Sequence, residues 1–312
     1  MPQPRLKGVV AAGGEATRLA ELTRVANKHL LPVGSWPMIY YPLQLLQLAG
    51  VREVLIVTGQ GHAGQLIDLL GDGRLDERGG GRPLFDLDLT YKVQTVPGGI
   101  AQVVGMAEGF AAGDRIVVCL GDNLFEHAPV SAIRRFAEGD AGALIFVKEV
   151  PDPERFGVVV YDEEGRVTDV VEKAGTVDTR YDTPPTSDAV VGLYCYDAGV
   201  YEFIRGLRPS SRGELEITDV NRAYLERGEL EVIPMSRGMA WLDTGTHESL
   251  LEAAQFIETI ERRQGLKIAC PEEVAWRMGF IDARQLEALA KPLLKSGYGE
   301  YLLRVLSERL FS

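Results

Sequence analysis

Through its first half the chain alternates short apolar, β-branched runs with segments whose apolar residues recur at helical spacing. Strands are predicted over residues 6–11, 53–58, 89–93, 115–120 and 142–148, with helices over 39–49, 64–70, 99–110 and 131–138 between them. Val54-Leu55-Ile56-Val57 and Ile116-Val117-Val118-Cys119-Leu120 are apolar at every position, so they lack the alternation of a strand with one wet face. Such runs suit parallel strands covered by helices on both sides, and the alternation of element types reads as a doubly wound α/β sheet. From about residue 151 the pattern changes to short strands at 157–161, 167–171 and 190–196, the first two joined by the turn-like Asp162-Glu163-Glu164-Gly165. An antiparallel elaboration of the sheet is expected there.

Beyond Gly245, Leu250, Ala253, Ala254, Ile257 and Ile260 trace one face of a long helix that Gly265 stops. Pro271 followed by Glu272 and Glu273 reads as a helix first turn, with acidic side chains at the positive end of the dipole. Helical patterns over 284–294 and 298–310 make the last stretch all-helical. Glycine-rich residues 71–83 and polar residues 176–187 read as loops, not as domain linkers.

Composition narrows the field. With 33 Lys and Arg against 45 Asp and Glu, the 312-residue chain carries a formal charge of −12, which argues against general nucleic-acid binding. Hydrophobic residues at 46% exclude a disordered chain. No apolar run reaches the roughly 18 residues that a membrane span needs. The N-terminus carries no secretory pattern. Cys119, Cys195 and Cys270 are scattered among apolar neighbours, so no disulfide framework is expected and a cytoplasmic setting follows. His29, His62, His127 and His247 are spread apart and there is no Cys-x-x-Cys, so no zinc site is expected.

Chemistry concentrates in a few strings. Ala11-Ala12-Gly13-Gly14-Glu15-Ala16-Thr17-Arg18-Leu19 follows the first strand directly. Its glycines let backbone N–H groups approach a polyphosphate, and Arg18 offers a charge-assisted fork. The spacing fits neither the dinucleotide fingerprint nor a Walker loop. Asn27-Lys28-His29-Leu30-Leu31-Pro32-Val33 sets a lysine before an apolar run. Gly121-Asp122-Asn123 follows a buried strand, and the C-terminal ends of parallel strands are where such sheets place ligands. Asp122 has an ordinary competing reading, and so do Gln94, Glu172, Lys173, Trp241 and Asp243 elsewhere in the chain. Asp122 could cap a turn, Asp243 could as easily cap the following helix, Glu172 and Lys173 could be a solvated pair, Trp241 could be plain core, and Gln94 is a lone amide.

Taken with Pro37-Met38-Ile39-Tyr40-Tyr41-Pro42, these strings resemble the sugar-1-phosphate nucleotidyltransferases. The resemblance continues through Gln94 and Pro97-Gly98-Gly99-Ile100-Ala101-Gln102, Asp152-Pro153-Glu154-Arg155-Phe156-Gly157, Glu172-Lys173, residues 212–219 and Trp241-Leu242-Asp243-Thr244-Gly245-Thr246-His247. It implies a Rossmann-like, mostly parallel doubly wound sheet with an antiparallel sugar-binding elaboration and a C-terminal helical segment. The implied division is a catalytic domain over 1–265, with a nucleotide half to about 150 and a sugar half over about 151–245, and a segment 266–312 for subunit contact and regulation.

The implied reaction is direct in-line transfer of a deoxythymidylyl group from dTTP to glucose 1-phosphate, with Mg²⁺ and release of pyrophosphate. Arg18, Lys28, Asp122 and Asp243 would be catalytic, and Asp122 and Asp243 would share the metal. Ala12, Gly13, Gly14, Thr17, Gln94 and Gly99 would join Arg18, Lys28 and Asp122 around the nucleotide. Asn123, Gly157, Glu172, Lys173 and Trp241 would hold the sugar phosphate. A homotetramer under end-product control is implied too. Departures from the family pattern include Glu15 and Ala16 in the phosphate loop, and Ala11, Glu21, Ala174 and Val191 elsewhere. They keep open UTP or another sugar phosphate, or a regulator that binds without turnover.

Overall fold

The computed structural model describes residues 6–14, 17–24, 26–74, 85–173 and 181–308 of the chain. Strand β1 (Leu6–Ala12) leads through α1 (Ala20–Thr23) to a tight hairpin of β2 (Pro32–Val33) and β3 (Trp36–Pro37), and α2 (Tyr40–Leu48) returns the chain to β4 (Glu53–Gly59). α3 (Ala63–Leu70) lies between β4 and β5 (Asp88–Gln94), and α4 (Ile100–Met106) with α5 (Glu108–Ala111) between β5 and β6 (Arg115–Leu120). Joined through such helical crossovers, the strands pair in parallel in the order β6-β1-β4-β5. The all-apolar runs divide by alternation between two cores. Val10, Val54, Ile56, Val117 and Cys119 meet α2 on one face, while Val9, Leu55, Val57, Ile116 and Val118 meet α4 on the other. Both faces are therefore dry, as expected.

β7 (Asn123–Phe125) and α6 (Val130–Glu138) lead to β8 (Ala143–Glu149), and then β9 (Val158–Tyr161), β10 (Val167–Val171) and β11 (Asp188–Tyr196) form the antiparallel part. β11 is the seam, antiparallel to β6, to β8 and to β9. The turn between β9 and β10 is held by Asp162, whose carboxylate accepts from the Glu164 and Arg166 N–H groups at 3.1 and 2.8 Å. α7 (Val200–Gly206), α8 (Ile217–Glu226) and β12 (Leu230–Pro234) follow, β12 lying parallel to β8. β13 (Trp241–Asp243) leaves the main sheet to pair antiparallel with β7.

α9 (His247–Gln264) starts at a Thr246–Ser249 capping box and ends at Gly265, whose φ of 70° closes it as the sequence suggests. α10 (Pro271–Arg277), α11 (Ala283–Ala290) and α12 (Tyr298–Ser307) have a small core of their own, from Cys270 to Val305.

Several expectations shift. The helix expected over 99–110 divides at Ala107 into α4 and α5. That over 284–294 ends at Ala290 and continues as a tighter 3₁₀ segment, Lys291–Ser296, where Pro292 removes a donor. Glu272 and Glu273 open α10 as read, yet both are buried, accepting from Tyr298 and Tyr301. α7, α8 and β12 were not anticipated. Glu15, Ala16, Ala174, residues 75–83 of the first loop and residues 176–180 of the second lie outside the described residues.

Candidate active site

Asp122 stands just past β6, at the carboxyl edge of the parallel strands. A Cβ at Gly121 would lie 2.6 Å from the His29 ring, so only glycine lets the chain pass between that ring and the Ala11 carbonyl. His29 belongs to a short 3₁₀ turn, Lys28–Leu30, capped by Asn27, whose Oδ1 accepts from the His29 N–H at 2.8 Å and lies 2.7 Å from its Nδ1. Burial drives the His29 pKa down to about 4, so the imidazole is neutral. This packing delivers Lys28 Nζ onto Asp122 Oδ2 as an ion pair. Asn123 Nδ2 donates to Asp122 Oδ1 at 2.9 Å, while Asn123 Oδ1 accepts from Gly192 N and Trp241 Nε1 at 3.1 and 2.6 Å.

The short β7–β13 ladder brings Asp243 opposite Asn123. Thr244 fastens the join, giving the Asp122 carbonyl its N–H at 3.2 Å and its hydroxyl at 2.8 Å. Because Thr246 caps α9, the competing role for Asp243 as a helix cap falls away. Asp122 and Asp243 therefore face one cavity of about 350 Å³ together with Arg18, Lys28 and Lys173. Burial, and then the charge of Asp122, raise the Asp243 carboxyl above its usual range. Burial presses Asp122 in the same direction, but the Lys28 ammonium, together with the hydrogen bonds from Lys28 and Asn123, outweighs it and holds that carboxyl low. Two like charges share a partly dry site, an arrangement that attracts a cation. Among the described residues no group of three or more His, Cys, Asp and Glu forms a cage. Two carboxylates facing one cavity fit a hard divalent cation that keeps waters and takes phosphate oxygens as further ligands.

At the far side of this cavity Glu172 follows β10 and accepts from the Thr218 hydroxyl at 2.6 Å and from Arg212 at 3.3 Å. Gly157 lies close by, since a Cβ there would stand 3.3 Å from Glu172 Oε2. Lys173 takes a left-handed φ of 31° and carries its ammonium 3.9 Å from Glu172 Oε1. Trp241 lines the wall and packs against Phe156 with ring centroids 5.0 Å apart. The pair is thus neither a plain solvated couple nor Trp241 plain core.

A second cavity, of about 610 Å³, is lined by Ala12, Gly13, Gly14, Lys28 and Gln94, and also by Gln60 and His62. Lys28 is common to both cavities. A Cβ on Gly13 would lie 2.6 Å from Gln94 Oε1, so the glycine admits the amide, whose Nε2 donates to Gln102. Gly99 lines neither cavity. Its φ of 88° and the 2.5 Å from an added Cβ to the Leu215 carbonyl give it a packing role against the start of α8. Thr17 belongs to a 3₁₀ turn with Arg18, and its side chain lies outside the described residues.

Residues that sequence reading did not assign also face these cavities: Arg155, Phe156, Tyr194, Thr218 and Asn221 in the first, and Gln60, Gly61 and His62 in the second. The last group follows β4 at the same carboxyl edge, a signal that was available from the rule applied to Asp122. Arg155 ion-pairs with Asp152 at 2.7 Å and with Asp243 at 3.1 Å.

Residues 7–260 match the nucleotidyl transferase family. A glucose-1-phosphate thymidylyltransferase of Xanthomonas campestris is 46% identical over 297 residues, covering 95% of each chain. The enzyme of that name from Mycolicibacterium smegmatis is 45% identical over 302 residues, covering 96% of this chain and 99% of the relative. Among solved structures, a candidate glucose-1-phosphate thymidylyltransferase from Bacillus anthracis in complex with a sucrose aligns with a TM-score of 0.72 at 40% identity, over 81% of this chain and 95% of the other. A UDP-glucose pyrophosphorylase complexed with UDP-glucose, 21% identical, shares the fold at a TM-score of 0.69 over 82% of this chain and 99% of its own. A parallel sheet with two adjoining cavities at its carboxyl edge agrees with these matches, and the chain belongs to the nucleotidyl transferase family.

Proposed function

We propose that the protein transfers a deoxythymidylyl group from dTTP to glucose 1-phosphate, giving dTDP-glucose and pyrophosphate. The observation that carries this reading is Lys28, shared by two cavities of a size for a nucleotide and a sugar phosphate. Relatives about as long as this chain bear the name of that activity.

The physical obstacle is repulsion, since the two substrates together bring about six negative charges into one cleft. Gly13, Gly14 and Ala12 would shape the nucleotide site, and Gln94, which lines the same cavity, would read a pyrimidine edge. Arg18 and Lys28 offset the charge of the triphosphate, Lys28 leaving Asp122 to reach the α-phosphate. Lys173 takes the sugar phosphate, Glu172 accepts from sugar hydroxyls, and Trp241 with Gly157 walls the ring. Asp122 and Asp243 would hold Mg²⁺, which supplies charge neutralisation to the phosphate oxygens when bound. The sugar phosphate oxygen then attacks the α-phosphorus in line, with no covalent intermediate on the protein.

In this reading residues 1–150 form the nucleotide half and 151–245 the sugar half, while 266–312 serve a homotetramer with feedback by the dTDP-sugar product. Among the described residues no helix is long and apolar enough to cross a membrane. The three cysteines are free and buried, in keeping with a reducing, cytoplasmic setting.

Pyrophosphate release measured across the four common triphosphates and several sugar phosphates tests the reaction. Release with dTTP and glucose 1-phosphate above every other pair is expected, and preference for UTP or another sugar would redirect the assignment. Asp122→Ala should abolish release while triphosphate still binds, and unchanged turnover would refute the metal role. Sedimentation as a monomer would remove the tetramer.

A further inference from the structure

Each of the two expected metal-holding carboxylates already has a cation of the chain beside it. Lys28 Nζ is ion-paired with Asp122 Oδ2. Arg155 forks between Asp152 Oδ2 at 2.7 Å and Asp243 Oδ2 at 3.1 Å. Its guanidinium lies 5.2 Å from the Phe156 ring centroid, and that ring packs against Trp241, two residues before Asp243. The fork is therefore held from three sides. Arg18 and Lys28 also act on Asp243 through space. We propose that Arg155 is a built-in counter-ion for Asp243 which, with Lys28, keeps the carboxylate pair closed to free divalent metal until a triphosphate draws the cations away.

This inference rests on the reading of Asp122 and Asp243 as metal ligands. A guanidinium on one carboxylate and an ammonium on the other offset the repulsion that burial sharpens, and each must be displaced before a metal ion can take its place. Phosphate oxygens offer both cations better partners, since Arg forks onto phosphate as readily as onto carboxylate. Metal occupancy is thereby tied to nucleotide occupancy. Arg155 acts through Asp243 and is a positioning residue.

The test is a Mn²⁺ titration of the full-length, nucleotide-free protein, followed by electron paramagnetic resonance of free Mn²⁺. Arg155→Gln should tighten binding by about two- to fivefold, the range a part-exposed ion pair supports. Arg155→Lys should stay near the wild-type curve. Asp152→Asn, which leaves the guanidinium to Asp243 alone, should loosen binding. Opposite signs within one triad cannot come from loss of folding, which thermal melts of each variant check separately. With dTTP present, and after subtraction of the Mn²⁺ that dTTP takes up without protein, the wild-type and Arg155→Gln curves should converge. Weaker or unchanged Mn²⁺ binding in folded Arg155→Gln would overturn the proposal, while the proposed reaction is judged separately, by pyrophosphate release from the wild-type protein. A wild-type protein that takes up no Mn²⁺ even with dTTP would overturn both this proposal and the metal role of the two aspartates.

Discussion

Replacing Gly121 by alanine tests how the catalytic edge is built. A Cβ at this position would lie 2.6 Å from His29 Cδ2, 2.9 Å from His29 Nε2 and 3.0 Å from the Ala11 carbonyl. None of these is the loose end of a flexible side chain. His29 is only 3% exposed and its ring is tethered to Asn27 at 2.7 Å, while the Ala11 carbonyl already accepts the Gly121 N–H at 2.9 Å. Overpacking of this kind costs about 1–3 kcal/mol. The strain falls between Lys28, which precedes His29, and Asp122, which follows Gly121, so it should part that ion pair. Urea unfolding should show the loss of stability, and pyrophosphate release should fall by at least about tenfold, as displaced catalytic groups require. Adding His29→Ala removes the obstructing ring, so the double variant should be more stable than the sum of the single losses by about 0.5–3 kcal/mol. Strict additivity, or Gly121→Ala with wild-type stability and turnover, would refute the packing account.

Three further outcomes follow from other parts of the molecule. Burial raises the Glu272 carboxyl above 4.5 despite its Tyr298 hydrogen bond, so its contribution is present below the unfolded value and lost as pH rises through the folded one. Glu272→Gln should therefore gain stability relative to wild type as pH rises above the ordinary glutamate range, and a difference that stays flat with pH in urea titrations would contradict this. Thr246→Ala removes the acceptor that Ser249 N–H meets at 3.2 Å and should cost about 1 kcal/mol in the same measurement, an unchanged midpoint counting against the cap. Cys119, Cys195 and Cys270 are buried, and burial raises all of their pKa values. A disulfide reagent should find them unreactive until the chain unfolds, and rapid labelling of the native protein would disprove that.

What the sequence made legible was local and repetitive. Val54 to Val57 and Ile116 to Leu120 declared strands buried on both faces because their apolar pattern has no gap, and β4 and β6 lie within a residue of the reading. Asp122 was legible because it follows such a strand. Asp243 was legible only through the resemblance of its string to the family, since a three-residue strand carries no usable period and its partner β7 is just as short. Arg155 lies within a string that resembles the family, yet its own role is hidden for a related reason: its contact with Asp243 spans 88 positions. Glu272 followed the helix-start rule, yet its burial depends on Tyr298, 26 positions later. β12 carries no readable period because its residues are half-exposed or exposed without alternation, while α8, with Ile217, Val220 and Tyr224 at helical spacing, begins inside the string at 212–219 that resembles the family.

The small β7–β13 ladder has a consequence for biogenesis. Thr244 clasps the Asp122 carbonyl across 122 positions, so the carboxylate pair exists only once most of the polypeptide has emerged and collapsed. A nascent chain halted before β13 carries Asp122 without Asp243, so under the proposed reading any chemistry that needs both carboxylates waits until that strand has been made.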